Sequence, residues 1–403
     1  MRSLRAALLL IGACGFHTGA SEATDGHPMG DGGVDPDGGG GPEAGDTPRD
    51  LPHVPSTAET GGTGTWTLSG AVTISTSGTM VMTSVPLPTG VFASIVAQQS
   101  GGGPDIAVIR AGTVNVVAGA NVVITGTRPL VIVANTITVD GTLDVGAALA
   151  AAGAGGGAPG TTVAMNGVHS GNYGDSGGGG GAFTQTSGAG GSANTSCSAL
   201  AVGGITGTAF GTAALDVLEG GRGGGTGSKG SCTVASGGAG GGAIQLSAYT
   251  AITIGSAGRV LAGGGGGVGG VFCNNTDAGA GAGGGAGGAI YLDAPKIELE
   301  GRLAANGGAG GGGGCGPGGS GGDGQNGGVM SAATAGGPGG SCGTRGGDGA
   351  VGASAAQAGT TNGCDGNAGG GGGAVGRVVL HHSTTMPISG GGAAVPAATD
   401  LAF

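Results

Sequence analysis

Three stretches of this chain repeat one pattern: LVIVANTITVDGTLDV at 130–145, IQLSAYTAITIGSAGRVLA at 244–262 and IYLDAPKIELEGRLA at 290–304. Each begins with a short apolar stretch and an Ala, continues with a second stretch that ends near a Gly, and closes with a third. Short stretches rich in Val, Ile and Thr, with apolar and polar residues alternating, predict β-strands. A partial copy, RVVLHH, follows at 377–382. A single unit of this size cannot bury its own apolar face, so we expect the copies to stack.

Three short strands separated by tight turns are typical of one coil of a parallel β-helix, and in this respect the units resemble parallel β-helix surface proteins. The alternative is an antiparallel sandwich, but regular hairpin signals are missing between the units and long Gly blocks stand there instead. We therefore predict an all-β fold, with β-rich N-terminal coils over 61–146 and further coils with Gly-rich insertions over 147–403.

Glycine fills the three insertions, at 147–241, 262–287 and 305–374, and makes up 111 of the 403 residues. Because Gly loses more backbone freedom on folding than other residues, such segments either stay disordered or pack their backbones closely. In several runs Gly recurs at every third residue, which gives a polyproline-II helix one face without side chains. The clearest runs are Gly337, Gly340, Gly343, Gly346, Gly349 and Gly352; Gly318, Gly321, Gly324 and Gly327; Gly363, Gly366, Gly369 and Gly372; Gly171, Gly174, Gly177 and Gly180; and Gly221, Gly224, Gly227 and Gly230.

Two segments, GGPGGSCGTRGGDGAVG at 336–352 and GCDGNAGG at 363–370, carry Cys beside this three-residue frame. In texture they resemble the polyproline-II bundles of snow-flea-type antifreeze proteins and the glycine-rich PGRS domains of mycobacterial surface proteins. The resemblance implies an ordered bundle and, from the first family, ice binding. Collagen is excluded because the frame is interrupted and only 16 Pro are present.

Six cysteines lie in the Gly blocks and none in the β units, at Cys197, Cys232, Cys273, Cys315, Cys342 and Cys364. An even number in an exported chain favours disulfides, which would hold segments that bury little apolar surface. Among fifteen possible connectivities we expect Cys197–Cys232, Cys342–Cys364 and Cys273–Cys315. A zinc site is the alternative, but no C-x-x-C is present and His381–His382 lie in a strand, so no metal and no cofactor is predicted.

The N-terminus predicts export. Arg2 and Arg5 precede an apolar run that ends in Ile11-Gly12-Ala13-Cys14, which resembles the lipobox of bacterial lipoproteins. The resemblance implies a signal peptide over 1–13, lipidation of Cys14 and a place in the outer membrane; an ordinary signal peptide with an incidental Cys is the alternative.

Residues 14–60 read as a disordered acidic tether. Of the net charge of −11, residues 21–50 contribute −7, from eight acidic residues and Arg49. Because no basic patch exists elsewhere, nucleic acid is not an expected partner.

Three motifs suggest chemistry, and each has a simpler explanation. GDSGG at 174–178 reproduces the surroundings of a serine-protease nucleophile, with His169 as the nearest base, but such strings are expected by chance in Gly-rich sequence. Asp323 lies in a single partial copy of a calcium-binding nonapeptide. Enzymes on β-helices use clustered charged residues, and the best cluster alternates with apolar residues as a solvated face does: Asp293, Lys296, Glu298, Glu300 and Arg302.

These features together predict a non-enzymatic cell-envelope protein with no catalytic residues and a structural or adhesive role. Its partners would be the membrane, through the lipid anchor, and surface glycans or matrix. An ice-binding protein and a β-helix carbohydrate-active enzyme are the alternatives.

Overall fold

The repeated units form two parallel sheets in a computed structural model. Of the residues that the structure describes, 30% lie in strands and 2% in helix, so the regular structure is nearly all β. The structure describes residues 50–403 except 60–61, 99–102, 170–173, 197–199, 275–276, 317, 330–331 and 364–365. Cys14, Cys197 and Cys364, the signal peptide and most of the predicted tether therefore lie outside the described residues.

The first sheet has ten strands within the described part of the chain. They are β1 (Thr65–Leu68), β4 (Phe92–Val96), β5 (Ile106–Arg110), β6 (Thr113–Val116), β8 (Leu130–Val139), β10 (Ala243–Ile254), β14 (Ala289–Asp293), β15 (Lys296–Leu299), β17 (Arg377–His382) and β19 (Thr399–Ala402). All pairs in it are parallel except β4 with β5.

The second sheet has seven strands within the same range. They are β2 (Ala71–Ser75), β3 (Met82–Thr83), β7 (Asn121–Thr125), β9 (Thr142–Asp144), β11 (Arg259–Leu261), β16 (Arg302–Ala304) and β18 (Ala393–Val395). Its pairs are parallel except β2 with β3. A separate antiparallel hairpin joins β12 (Phe272–Asn274) to β13 (Asp277–Ala278), and the helical turns Ser56–Ala58 and Val163–Met165 are 3₁₀.

Equivalent residues of the repeats lie directly above one another. Leu130 pairs with Ile244, which pairs with Ile290, and the same row continues to Val378. In the second sheet Leu143, Val260 and Leu303 form the matching row. The chain passes from the first sheet to the second and back, layer after layer. The predicted parallel stacking of the three units and of the partial copy at 377–382 is confirmed, and the antiparallel sandwich is wrong for these units.

The first sheet is buried on both faces. One face joins the second sheet in a core that contains Ile132, Leu246 and Val260. The other face, with Val131 and Val133, lies under the segment after Asp50 and the base of the Gly insertions. This two-sided burial explains why β8 begins with a continuous apolar run instead of an alternating one.

Part of the predicted tether belongs to this second core. Leu51, Val54 and Ala58 are buried there, so residues 51–58 belong to the fold, whereas the sequence predicts a disordered tether up to residue 60. The residues of this segment that face the sheet are apolar, but the many polar residues around them make this pattern hard to recognise in the sequence.

The three Gly-rich insertions leave and re-enter the sheets at equivalent places. They follow β9, β11 and β16 of the second sheet and lead into β10, β14 and β17 of the first. Together their segments form what we call the glycine bundle, comprising the described residues of 147–241, 262–287 and 305–374. Each insertion runs away from the sheets and returns, so its reversals lie alternately at the far end of the bundle and beside the sheets.

Candidate interaction surface on the glycine bundle

Backbone hydrogen bonds join neighbouring segments of the bundle at every third residue. Gly264, Gly267 and Gly270 donate to Asn306, Ala309 and Gly312 over 2.8–2.9 Å, a parallel match. Gly308, Gly311 and Gly314 donate to Gly285, Ala282 and Gly279 over 2.8–2.9 Å, an antiparallel match. These Gly-rich segments therefore satisfy their backbone groups without forming strands.

The segment at 278–288 lies at the centre of the bundle. It is hydrogen-bonded to segments from all three insertions, for example through Gly178 and Gly181 of the first, Gly265 of the second and Gly371 of the third. Assembly of the bundle thus links parts of the chain that are far apart in sequence.

The three-residue Gly frames face neighbouring backbones, as the sequence predicts. A Cβ at Gly343, Gly346 or Gly349 would overlap the carbonyls of 313, 310 and 307 in that order. The other frames behave in the same way: Gly321 and Gly324 face 312 and 309, Gly369 and Gly372 face 345 and 348, Gly177 and Gly180 face 369 and 372, and Gly224 and Gly227 face 283 and 280. Close approach of backbones, and not flexibility, is what requires glycine here.

Two disulfides hold the far end of the bundle. Cys232 is joined to Cys273 with a Cα–Cα distance of 5.5 Å, and Cys315 to Cys342 with 5.2 Å. Both distances are usual for a disulfide. All four residues lie in reversals at the end away from the sheets, where few side chains are available to pack.

The predicted pairings Cys197–Cys232, Cys342–Cys364 and Cys273–Cys315 are wrong, because their described members have other partners. The physical reason is the order of segments in the bundle. The segment before β10 lies beside the one after β11, with Gly265 donating to Ala239 and Val268 to Ser236. The reversal with Cys232 therefore meets β12, which carries Cys273.

The bundle presents an apolar strip to solvent at one edge. We define the apolar strip as Val163, Val168, Leu200, Val202 and Ile205, whose exposed fractions lie between 53% and 81%. Two contacts bring its two segments together. The Ile205 amide donates to the Ala164 carbonyl over 3.1 Å, and the Ser176 hydroxyl accepts from the Val168 amide and donates to the Val202 carbonyl.

The serine-protease-like motif has a structural role. His169 Nδ1 lies 2.7 Å from Asp175 Oδ1, but the Ser176 hydroxyl is directed to Val202, 2.8 Å away, and is fully buried. Burial raises the pKa of Asp175, an effect partly opposed by the hydrogen bond from His169. The Asp and His come together, but the Ser lies outside their reach, and a triad depends on that geometry.

The charged residues of the third repeat are divided between solvent and core. Lys296, Glu300 and Arg302 are exposed and Glu298 is half-buried, as predicted for a solvated face. Asp293 is the exception, with none of its surface exposed, because the first sheet is covered on its outer face. Its Oδ1 lies 2.8 Å from Nδ1 of His381, directly beside it in the sheet.

One group of cysteine and acidic side chains in the described chain lies close enough together to suggest a metal site, but its sulfurs are not available as ligands. The sulfurs of Cys232 and Cys273 lie within 4.8 Å of a carboxylate oxygen of Asp277, but the sulfurs are joined to each other and are not thiolates. Asp323 Oδ1 accepts a hydrogen bond of 2.8 Å from the Gly269 amide, which gives it a structural function within the bundle.

A membrane-spanning helix is not found in the part of the chain that the structure describes. No family model, curated protein or solved structure matches this chain.

Proposed function

We propose that the protein is a lipid-anchored structural and adhesive element of the cell envelope. In this account the two sheets are the walls of a parallel β-helix, and the Gly segments are polyproline-II helices that form a rigid appendage. The passage of the chain between the sheets, layer by layer, supports the first part. The three-residue period of the hydrogen bonds supports the second, because polyproline II has three residues per turn.

The observation that carries the adhesive role is the apolar strip. Val202 and Ile205 are more than half exposed, on a segment whose backbone is hydrogen-bonded to two neighbours. Exposed apolar side chains held on a rigid support lose little conformational freedom when another surface covers them. Covering a Val or Ile side chain completely contributes about 1.5–3 kcal/mol. The strip itself contains no charged residue, so attachment through it would depend on apolar contact.

An adsorption experiment tests the adhesive role. The purified mature protein should adsorb to a methyl-terminated surface in a quartz crystal microbalance, and the Val202→Ser/Ile205→Ser variant should adsorb much less. Val117→Ser is the matched control, because Val117 is an exposed Val outside the strip, in the turn after β6. Equal adsorption by wild type and the double variant would reject the strip as the adhesive surface.

The anchor is tested separately. Cys14→Ser should abolish incorporation of a labelled fatty acid and should release the protein from the membrane fraction. Unchanged membrane association without labelling of the wild-type protein would contradict lipidation.

Ice binding is a second candidate, favoured by small side chains that recur every three residues on outer segments. Ala335 and Pro338 are exposed on one such segment, and Ala358 and Thr361 on another. The segment hydrogen-bonded to both carries the Arg345–Asp348 ion pair, which interrupts a flat apolar face. Thermal hysteresis of the purified protein would establish this function, and its absence would remove it.

A further inference from the structure

A cavity of about 280 Å³ lies where the bundle meets the first sheet. Arg377, the first residue of β17, lines it together with the polar side chains of Thr184, Gln185 and Thr399. Pro396 adds apolar surface, and the buried residues Val375 and Val378 lie in the wall. The lining has somewhat more polar than apolar surface, and the volume is near the lower end of the range for small-molecule sites.

The Arg377 side chain is fixed in place by its contacts. Its Nη2 donates to the carbonyls of Phe210, over 2.7 Å, and Gly211, over 3.2 Å, and its Nη1 donates to Thr212. The guanidinium also lies over the Phe183 ring, 5.1 Å from its centroid. These contacts keep the group at the cavity wall without using all five of its donors.

One donor of this guanidinium is buried and unsatisfied. Arg377 Nε is excluded from solvent and has no hydrogen-bond partner among the described residues. A buried donor without a partner costs about 1–3 kcal/mol, which makes such a group in a native protein a sign of a missing ligand or water. The side-chain amide of Gln185 and the hydroxyl of Thr399 also line the cavity, so it offers further polar groups that a ligand could use.

A second arginine, Arg222, lies nearby but does not line the cavity. Arg222 lies over the Phe210 ring, 4.2 Å from its centroid, and Phe210 stacks on Phe183. Each guanidinium thus lies over one ring of the same aromatic pair, but only Arg377 lines the cavity. Burial raises the pKa of Glu219, and the positive charges of Arg222 and Arg377 partly oppose that rise.

We propose that this cavity binds a hydroxylated carboxylate the size of one sugar ring, as found in uronic acids. The carboxylate would accept from Arg377, whose planar guanidinium suits that group. The ring hydroxyls would exchange hydrogen bonds with Gln185, Thr184 and Thr399, and the ring would pack on Pro396. The site goes beyond the proposed adhesive surface, because it lies at the base of the bundle and shares no residue with the apolar strip.

Isothermal titration of the disulfide-intact protein with glucuronate tests the proposal, with glucose and acetate as comparisons. Glucuronate should bind, whereas glucose, which lacks the charge, and acetate, which lacks the hydroxyls, should bind at least about tenfold more weakly, as expected for the loss of charged or multiple hydrogen bonds. A glucuronate oligosaccharide in a further titration distinguishes a free acid from a polymer end as the natural source.

Variants locate the site. Arg377→Lys and Gln185→Ala should each weaken glucuronate binding by about tenfold, and Gln185→Ala leaves every contact of Arg377 unchanged, so it stays informative if the first variant misfolds. Arg222→Gln is the matched control and should bind within about twofold of wild type, because Arg222 does not line the cavity. Absence of glucuronate binding, equal binding of acetate, or full affinity in Gln185→Ala would overturn the proposal.

Discussion

Gly281 lies in the central segment of the glycine bundle, where its amide donates to Ala368 and its carbonyl accepts from Gly178. A Cβ at this position would overlap the Gly311 carbonyl and approach Gly312. The obstacle is backbone on both counts, so no rotation of a side chain could relieve it. The bundle depends on glycines of this kind, where any side chain would overlap neighbouring backbone.

Gly281→Ala should therefore destabilise the protein by about 1–3 kcal/mol or more, the range for an overpacked interior. The control is Gly328→Ala, since a Cβ there would meet nothing within 4 Å. Thermal unfolding followed by circular dichroism should show a lower Tm for the first variant and little change for the second. Equal Tm values for the two variants would show that close backbone approach is not what requires Gly281.

Each disulfide joins two reversals of the glycine bundle. They close loops of 41 and 27 residues by sequence separation. For loops of this length, chain entropy alone predicts about 3–4 kcal/mol of stabilisation each. Reduction should therefore unfold the bundle before the sheets, whose core of Ile132, Leu246 and Leu292 contains no cysteine.

Limited proteolysis with and without a thiol reductant measures this effect. Under reducing conditions we expect early cleavage at Arg345 in the bundle, and later cleavage at Arg259 and Arg302 of the second sheet. Simultaneous cleavage at all three sites would show that bundle and sheets unfold as one unit.

Peptide mapping of the unreduced protein checks the two disulfides directly. It should recover a Cys232–Cys273 peptide and a Cys315–Cys342 peptide. Free thiols at any of these four positions would contradict the arrangement of the reversals.

The sequence predicts which residues form strands and Gly segments better than it predicts which of these elements lie side by side. The alternating Val, Ile and Thr of each unit identify the strands, and the Gly frame identifies the faces along which segments meet. Pairing of Cys232 with Cys273 depends on the order of segments across the bundle, and nothing local in the sequence encodes that order. The burial of Asp293 and of Leu51 was likewise missed, since both depend on what covers the outer face of the first sheet. The apolar residues of the strip were visible as Val202 and Ile205 in a Gly-rich segment, but their exposure was not.

Several acidic groups across the molecule are partly or fully buried. Burial raises the pKa of Asp144, Asp175, Glu59 and Glu219, in each case against weaker opposing contacts. A carboxyl with a raised pKa in the folded state binds its proton more tightly there than in the unfolded chain. The contribution of these groups to the free energy of unfolding is therefore most favourable below their ordinary pKa values of 3.8 and 4.5, and it falls as pH rises through the folded-state values.

The Tm should accordingly decrease between about pH 4 and pH 7, where ordinary carboxyls ionise. Asp144→Asn should reduce that decrease, because the amide keeps the acceptor that bonds the Gly146 amide at 2.7 Å and removes the charge. Asp140→Asn serves as the control in the turn before β9. A Tm that rises over this interval, or equal pH dependence in Asp144→Asn and wild type, would contradict the buried-acid explanation.

The Gly blocks, where the structure describes them, are an ordered part of the fold, linked by backbone hydrogen bonds and joined at both ends to the two parallel sheets. Hydrogen exchange of the native, oxidised protein, followed by NMR with the glycine and leucine amides selectively labelled, tests this most directly. We predict that the amides of Gly281, Gly284, Gly308 and Gly311 are protected from exchange to a degree similar to the strand amides of Leu246 and Leu292. Exchange of these glycine amides at the rate of an unstructured peptide, while the strand amides stay protected, would contradict the account.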